Sequence, residues 1–267
     1  MNVYLYLICR NEEKYIKPTL EAIFNQSLTP SKVLIINDGS TDNTKQICEQ
    51  FNVEILDLPP HKQSYINTLK MAWLLNHAFP IPNGFDYITE MGADLILPSN
   101  YLEEITGYME KDPRLVVASG YVVGEKKTIR GAGRTKKTWF WNTYMKEYPI
   151  VYNYEPYELY KAESLGLKWA CVDLPIIAQR PSKNYNDIFG RAMKERSYFP
   201  PYAFVVCLKN FLKNRNIGML KNYLFTDYVL WDKELRNWIR LKQLNMRKKE
   251  RDKEVLPSPR YSNLFSG

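Results

Sequence analysis

The sequence predicts an α/β protein with a mostly parallel central sheet flanked by helices. Two observations carry that expectation. Short runs rich in β-branched and aromatic residues recur through the first two thirds of the chain: NVYLYLIC from residue 2, KVLIIN from 32, VEILDL from 53, DYITEM from 86, RLVVASGYVV from 114 and WACVDLPII from 169. Such runs read as strands. Helical patterns lie between several of them, and nearly all-apolar strands separated by helices imply parallel pairing with both faces covered.

Taken in order, the first strand ends in ICRNEE, and Ile16, Leu20, Ile23 and Phe24 then repeat at three-to-four spacing. That spacing predicts a helix, and Pro18 sits near its start, where the first turn tolerates it. After the second strand, Thr44, Ile47, Cys48 and Phe51 predict a shorter helix. The composition shifts near residue 205, where the text turns basic and helical. The reading is therefore an α/β domain over 1–205, a basic amphipathic helical extension over 206–254 and a tail over 255–267. In the extension Trp231, Leu235, Trp238 and Ile239 share one helix face, with Lys233, Arg236 and Arg240 around the rest. That pattern suits either packing on the protein or a helix lying on an anionic membrane surface.

Composition narrows the function. With 45% apolar and 25% charged residues, the chain of 267 residues has the make-up of an ordinary folded domain. Cys9, Cys48, Cys171 and Cys207 form no CxxC pair and have no histidine at metal-ligand spacing, which predicts free thiols and no structural zinc. No apolar run approaches the ~20 residues of a membrane span, and the opening MNVYLYLICRNEE meets charge too early for a signal peptide, so a cytoplasmic place is expected, with peripheral membrane contact open. A net charge of +8 favours an anionic partner without choosing among nucleotide, lipid and nucleic acid.

The site is announced by IINDGSTDNT at 35–44, where an aliphatic strand breaks into an amide, a carboxylate, a glycine and hydroxyls. ICRNEE makes a second polar break, so two adjacent parallel strands deliver Asn11, Glu12, Asn37 and Asp38 to one sheet edge, where such sheets bind ligands. A carboxylate there can accept a hydrogen bond from a uracil imide or a ribose hydroxyl, and Gly39 lets backbone approach closely. His61 and Lys62 follow the third strand and are candidates to line the same place, whereas His77 falls in a helical pattern and reads as structural.

RNEE at 10–13 and NDGSTDNT at 37–44 resemble the YNEE and DDGSTDNT elements of the family 2 glycosyltransferases, with Asn37 as a departure. The resemblance covers roughly residues 1–200 and implies the nucleotide-sugar-binding GT-A fold and an inverting transfer from a UDP- or GDP-linked sugar. It places Asp38, with Asn11 and Glu12, at the nucleoside. The family's Asp-x-Asp pair, which holds a divalent cation on the diphosphate, aligns with Gly92-Ala93-Asp94, so one carboxylate is missing. Asp94 then is the candidate ligand for Mg2+ or Mn2+, and Glu90, on the same side of the strand, is either a second ligand or a solvated residue. NYEPYELYKAESLG at 153–166 resembles the segment that carries the family's catalytic carboxylate and puts Glu155 at that position as the base, with Glu158 as competitor.

In the segment from 129 to 148, Arg130, Arg134, Lys136 and Lys137 stand beside Trp139, Phe140 and Trp141. It reads as an acceptor loop for a phosphate or lipid headgroup, or as a turn followed by core aromatics. Arg180 and Arg191 resemble a late family segment near the diphosphate or the acceptor. The implied acceptors are polyprenyl-phosphate or a lipid-linked saccharide. The alternatives are a GT-A-like nucleotide binder with impaired catalysis, suggested by Gly92, and a nucleic-acid-binding protein, which the acidic sheet edge disfavours.

Overall fold

The structure is a computed structural model that describes residues 1–62, 69–81, 83–181 and 189–251. It divides into two compact units, Met1–Tyr185 and Asn186–Gly267. The division falls ahead of the compositional shift at 205, and the expected tail over 255–267 lies outside the described residues.

In the first unit β1 (Val3–Cys9), β2 (Lys32–Asn37), β3 (Glu54–Asp57), β4 (Tyr87–Gly92), β5 (Leu95–Ile96), β6 (Leu115–Val122), β7 (Arg134–Lys137) and β8 (Lys168–Ala178) form one sheet in the order β3-β2-β1-β4-β7-β6-β8-β5. β1, β2, β3 and β4 pair in parallel, β7 runs against both β4 and β6, and β8 is parallel to β6. Six strands therefore share one direction, and only β7 and β5 oppose it. All seven residues of β1 are buried, because the strand is inside the sheet and packed on both faces. Helix α1 (Ile16–Phe24) buries Ile16, Thr19, Leu20 and Ile23, as its spacing predicts. Helices α2 (Thr44–Cys48), α3 (Leu69–Leu75), α4 (Tyr101–Glu110), a short α5 (Thr138–Phe140) and α6 (Tyr157–Ser164) complete the unit.

Strand β7 corrects the reading of RTKK as part of an exposed cationic loop. Arg134 and Lys136 are 1% and 0% exposed, and Lys137 and Phe140 are buried too, while Trp139 stays exposed. A cationic strand can be buried here because carboxylates meet it: Arg134 Nη1 lies 2.8 Å from Glu158 Oε1, and Lys136 Nζ lies 3.1 Å from Glu158 Oε2 and 3.3 Å from Glu90 Oε2. Buried charge persists only when paired in this way.

The second unit consists of α7 (Phe189–Glu195), α8 (Pro200–Asn214), α9 (Gly218–Phe225) and α10 (Lys233–Arg251). Trp231, Leu235 and Ile239 are 1–2% exposed, and the Arg196 guanidinium lies 5.1 Å from the Trp231 ring. The apolar face expected to meet either protein or membrane is thus filled by the protein itself. Among the described residues no helix is long and apolar enough to cross a membrane.

Candidate active site

The parallel strands β1, β4, β6 and β8 all end at one edge of the sheet, and a cavity of about 660 Å3 opens there. Arg10, Asn11 and Glu12 follow β1, Gly92 and Asp94 close β4, and Arg180 follows β8. Glu90, Arg130, Gly131 and Glu155 also line the cavity, as does Lys62. Its size suits a nucleotide-sized ligand.

The two sequence elements that announced the site are laced together. Asn11, with a φ of 54°, donates its backbone N–H to Ser40 Oγ (3.0 Å), and its side-chain oxygen accepts from Thr41 N–H (2.8 Å). The Glu12 N–H donates to Thr44 Oγ1 at 2.7 Å. Asn37 has a physical reason in this chain: its amide donates to Asp57 Oδ1 at 2.6 Å, a position where a second carboxylate would repel the first.

Asp38 is placed differently from the expectation. It is fully buried and does not line the cavity, because His61 Nε2 and Lys70 Nζ each lie 2.8 Å from Oδ1 and Arg10 Nη1 lies 3.8 Å from Oδ2. Asp38 therefore stands behind the cavity lining, where it pairs with Arg10 of that lining and with His61 and Lys70. Lys70 was not singled out in the sequence, since it stands in a helical pattern with no motif around it. Gly39, at φ +64°, is also explained by the fold: a Cβ there would fall 2.6 Å from the Pro59 carbonyl oxygen.

At the end of β4, Asp94 Oδ2 lies 2.7 Å from Arg180 Nε, and Glu12 Oε1 lies 2.6 Å from Arg180 Nη2. Gln179 Nε2 donates to Tyr15 O and Thr19 Oγ1, anchoring the end of β8 on α1, and the Arg180 guanidinium lies 5.2 Å from the Tyr15 ring. One guanidinium thus spans two carboxylates from neighbouring strand ends. Glu12 is 5% exposed, and its Oε2 is buried without a hydrogen-bond partner. Burial raises the Glu12 pKa, the Arg180 contacts oppose that, and Asp94 and Asp42 add to it. Where the family pattern has a carboxylate at position 92, this chain has Gly92, and Asp94 shares Arg180 with Glu12.

Glu90 is corrected as a solvated residue, and its carboxylate is engaged by buried partners. It is 5% exposed, and its Oε2 accepts from Tyr148 OH (2.6 Å), Tyr6 OH (3.0 Å) and Lys136 Nζ (3.3 Å). Burial works to raise its pKa, but Lys136, Arg134 and the two phenols outweigh it and hold the carboxyl below the usual glutamate range. Glu158 is corrected as a catalytic candidate: at 0% exposure it serves as counter-ion for Arg134 and Lys136. Arg134 is corrected likewise, from acceptor loop to buried brace, since its Nη1 donates to the Glu155 carbonyl and its Nε to the Arg130 carbonyl.

That brace holds Glu155 at the cavity mouth, where its side chain is exposed. The protein packed behind the carboxyl raises its pKa, with Glu90 and Glu158 adding and Arg134 and Arg130 opposing. A Cβ at Gly131 would stand 3.1 Å from Glu90 Oε1 and 3.4 Å from Glu155 Oε1, so the glycine leaves open the space between the two carboxylates. Arg130 is half exposed, 3.0 Å from Glu125, and faces the cavity. Arg191 belongs to the second unit and is not among the cavity residues.

The fold and this pocket define a class: an α/β protein with the GT-A glycosyltransferase architecture. The sequence-family model described as Glycosyl transferase family 2 matches residues 4–166, more than half of the chain, and the chain belongs to that family. An uncharacterized glycosyltransferase of Haemophilus influenzae is 29% identical over 119 residues, 43% of this chain and 35% of the relative. The chain matches less than half the length of such curated relatives. Among solved structures, Staphylococcus aureus TarS 1-349 in complex with UDP-GlcNAc superposes with a TM-score of 0.54 at 13% identity, over 84% of this chain and 72% of TarS 1-349. The mannosyltransferase PcManGT of Pyrobaculum calidifontis, in complex with GDP-Man and Mn2+, gives 0.55 at 15% identity, over 95% and 88%. These likenesses show the fold.

Proposed function

We propose that the chain transfers a sugar from a UDP- or GDP-linked donor to an acceptor hydroxyl or phosphate, with inversion at the anomeric carbon. The observation that carries this reading is the cavity at the strand ends, which gathers Asn11, Glu12, Asp94, Arg130, Arg180 and Glu155. The nucleotide sugars and Mn2+ named for the structural neighbours support it by analogy.

Asn11 takes the nucleoside side of the donor in this reading, and Arg130 and Lys62 supply positive charge for the diphosphate. Glu155 takes the proton from an acceptor hydroxyl, the acceptor oxygen bonds to the anomeric carbon, and the bond to the diphosphate breaks with its electron pair on the leaving nucleotide. With a phosphate acceptor no proton needs removal, and Glu155 orients the acceptor instead. Glu12 and Asp94 are the residues that would hold Mg2+ or Mn2+, since a hard cation accepts one or two carboxylates together with substrate phosphates. When bound, the ion neutralises charge on the leaving diphosphate. A polyprenyl-phosphate or lipid-linked saccharide is the proposed acceptor.

Sugar-nucleotide turnover tests the reading. Glu155→Gln should bind donor as the parent does and lose transfer, and a parent protein that binds donor without turning it over with any acceptor would instead favour a binding protein.

A further inference from the structure

Helix α8 carries an apolar face that stays exposed among the described residues. Phe204, Leu208, Phe211 and Leu212 fall at helical spacing on one side and are 56, 45, 39 and 58% exposed. The adjoining side is the one the protein buries, through Ala203 and Cys207. Beyond α8, Ile217 is 60% exposed and Phe225, at the end of α9, is 78% exposed. Soluble chains rarely leave several large apolar side chains together in water unless a surface meets them.

Charge says which surface. From Pro200 to Thr226 the sequence holds Lys209, Lys213, Arg215 and Lys221 and no acidic residue. All four cations are exposed. Exposed Phe and Leu flanked by Lys and Arg, with no carboxylate, match an anionic bilayer: rings and aliphatic side chains enter the acyl boundary while the cations meet phosphate headgroups. We propose that α8 and α9 form a membrane-docking surface for anionic lipid. The binding face is therefore not the Trp231–Leu235–Ile239 stripe, which is filled, but the side of the second unit that precedes it. The inference stands on unit two alone and is independent of which donor the cavity takes.

Flotation of the full chain with vesicles of phosphatidylcholine alone, and of phosphatidylcholine with phosphatidylglycerol, tests it. The chain should float with the anionic vesicles and not with the neutral ones. Replacing Lys209, Lys213 and Lys221 by glutamine should weaken the association about fivefold per charge, and added salt should do the same. The pair Leu208→Gln and Phe211→Gln should abolish it while nucleotide binding and thermal melting stay as in the parent. If that pair fails to fold, the lysine series decides. Absence of flotation, equal flotation with neutral vesicles, or indifference to the lysine series overturns the proposal. So does a concentration-dependent dimer, seen by sedimentation and lost in Leu208→Gln, that binds no vesicle, because the face would then belong to a second copy.

Discussion

Arg180 holds Glu12 and Asp94 at 2.6 and 2.7 Å, and a divalent cation bound to those two carboxylates must displace it. The two cations compete. Arg180→Ala should therefore raise Mn2+ affinity in the absence of nucleotide, about fivefold for a half-exposed pair worth ~1 kcal/mol. Asp94→Asn should lower it. Paramagnetic titration of Mn2+ reads both without any turnover, and unchanged affinity in Arg180→Ala would show that the guanidinium does not guard the ion's place. Glu155 makes a second residue-scale test. As a general base it works deprotonated, and its pKa is raised, so activity is lost as pH falls through a value above that of an ordinary glutamate. Glu155→Gln should cost at least about 100-fold in kcat and leave donor affinity within error, and the acid limb of the kcat/KM profile should vanish with it. A variant that keeps the acid limb would move the base elsewhere.

Strand β7 is the element on which the pocket wall rests. Its Arg134 is sealed against Glu158 and braces the backbone of residues 130 and 155, so removing one partner leaves a buried charge alone. Glu158→Leu should cost about 3–5 kcal/mol in denaturant melts, and adding Arg134→Met should recover part of it. Glu90, in the same cluster, has a depressed pKa. Its stabilisation is in place above the ordinary glutamate pKa and is lost as pH falls through the depressed value. Melts of Glu90→Gln and the parent should differ near neutrality and converge in acid. This element also marks the limit of what the sequence made legible. The aliphatic strands and α1 were visible because burial on both faces writes itself as apolar runs and as three-to-four spacing. RTKK was not, because its burial depends on Glu90 and Glu158, which come from distant parts of the chain. For the same reason Asp38 was read as open to ligand: no local pattern reveals that Lys70 and His61 close over it. That Glu12, Asp94, Arg130, Arg180 and Glu155 share one cavity was legible, since each stands at or near a strand end or in a recognisable motif.

At the scale of the whole molecule, the first unit offers a cavity of nucleotide size and the second an exposed apolar and cationic face. The central claim concerns the cavity, and binding to the folded chain raises its stability by mass action, about 2.7 kcal/mol at a ligand concentration of 100 Kd. The most direct measurement is a thermal-shift series with UDP, GDP and their sugar conjugates, each with and without Mn2+. The account predicts a rise in Tm for one nucleotide family, larger with Mn2+ present, and loss of the Mn2+ increment in Asp94→Asn. No shift with any nucleoside diphosphate or sugar conjugate, with or without the ion, would contradict it.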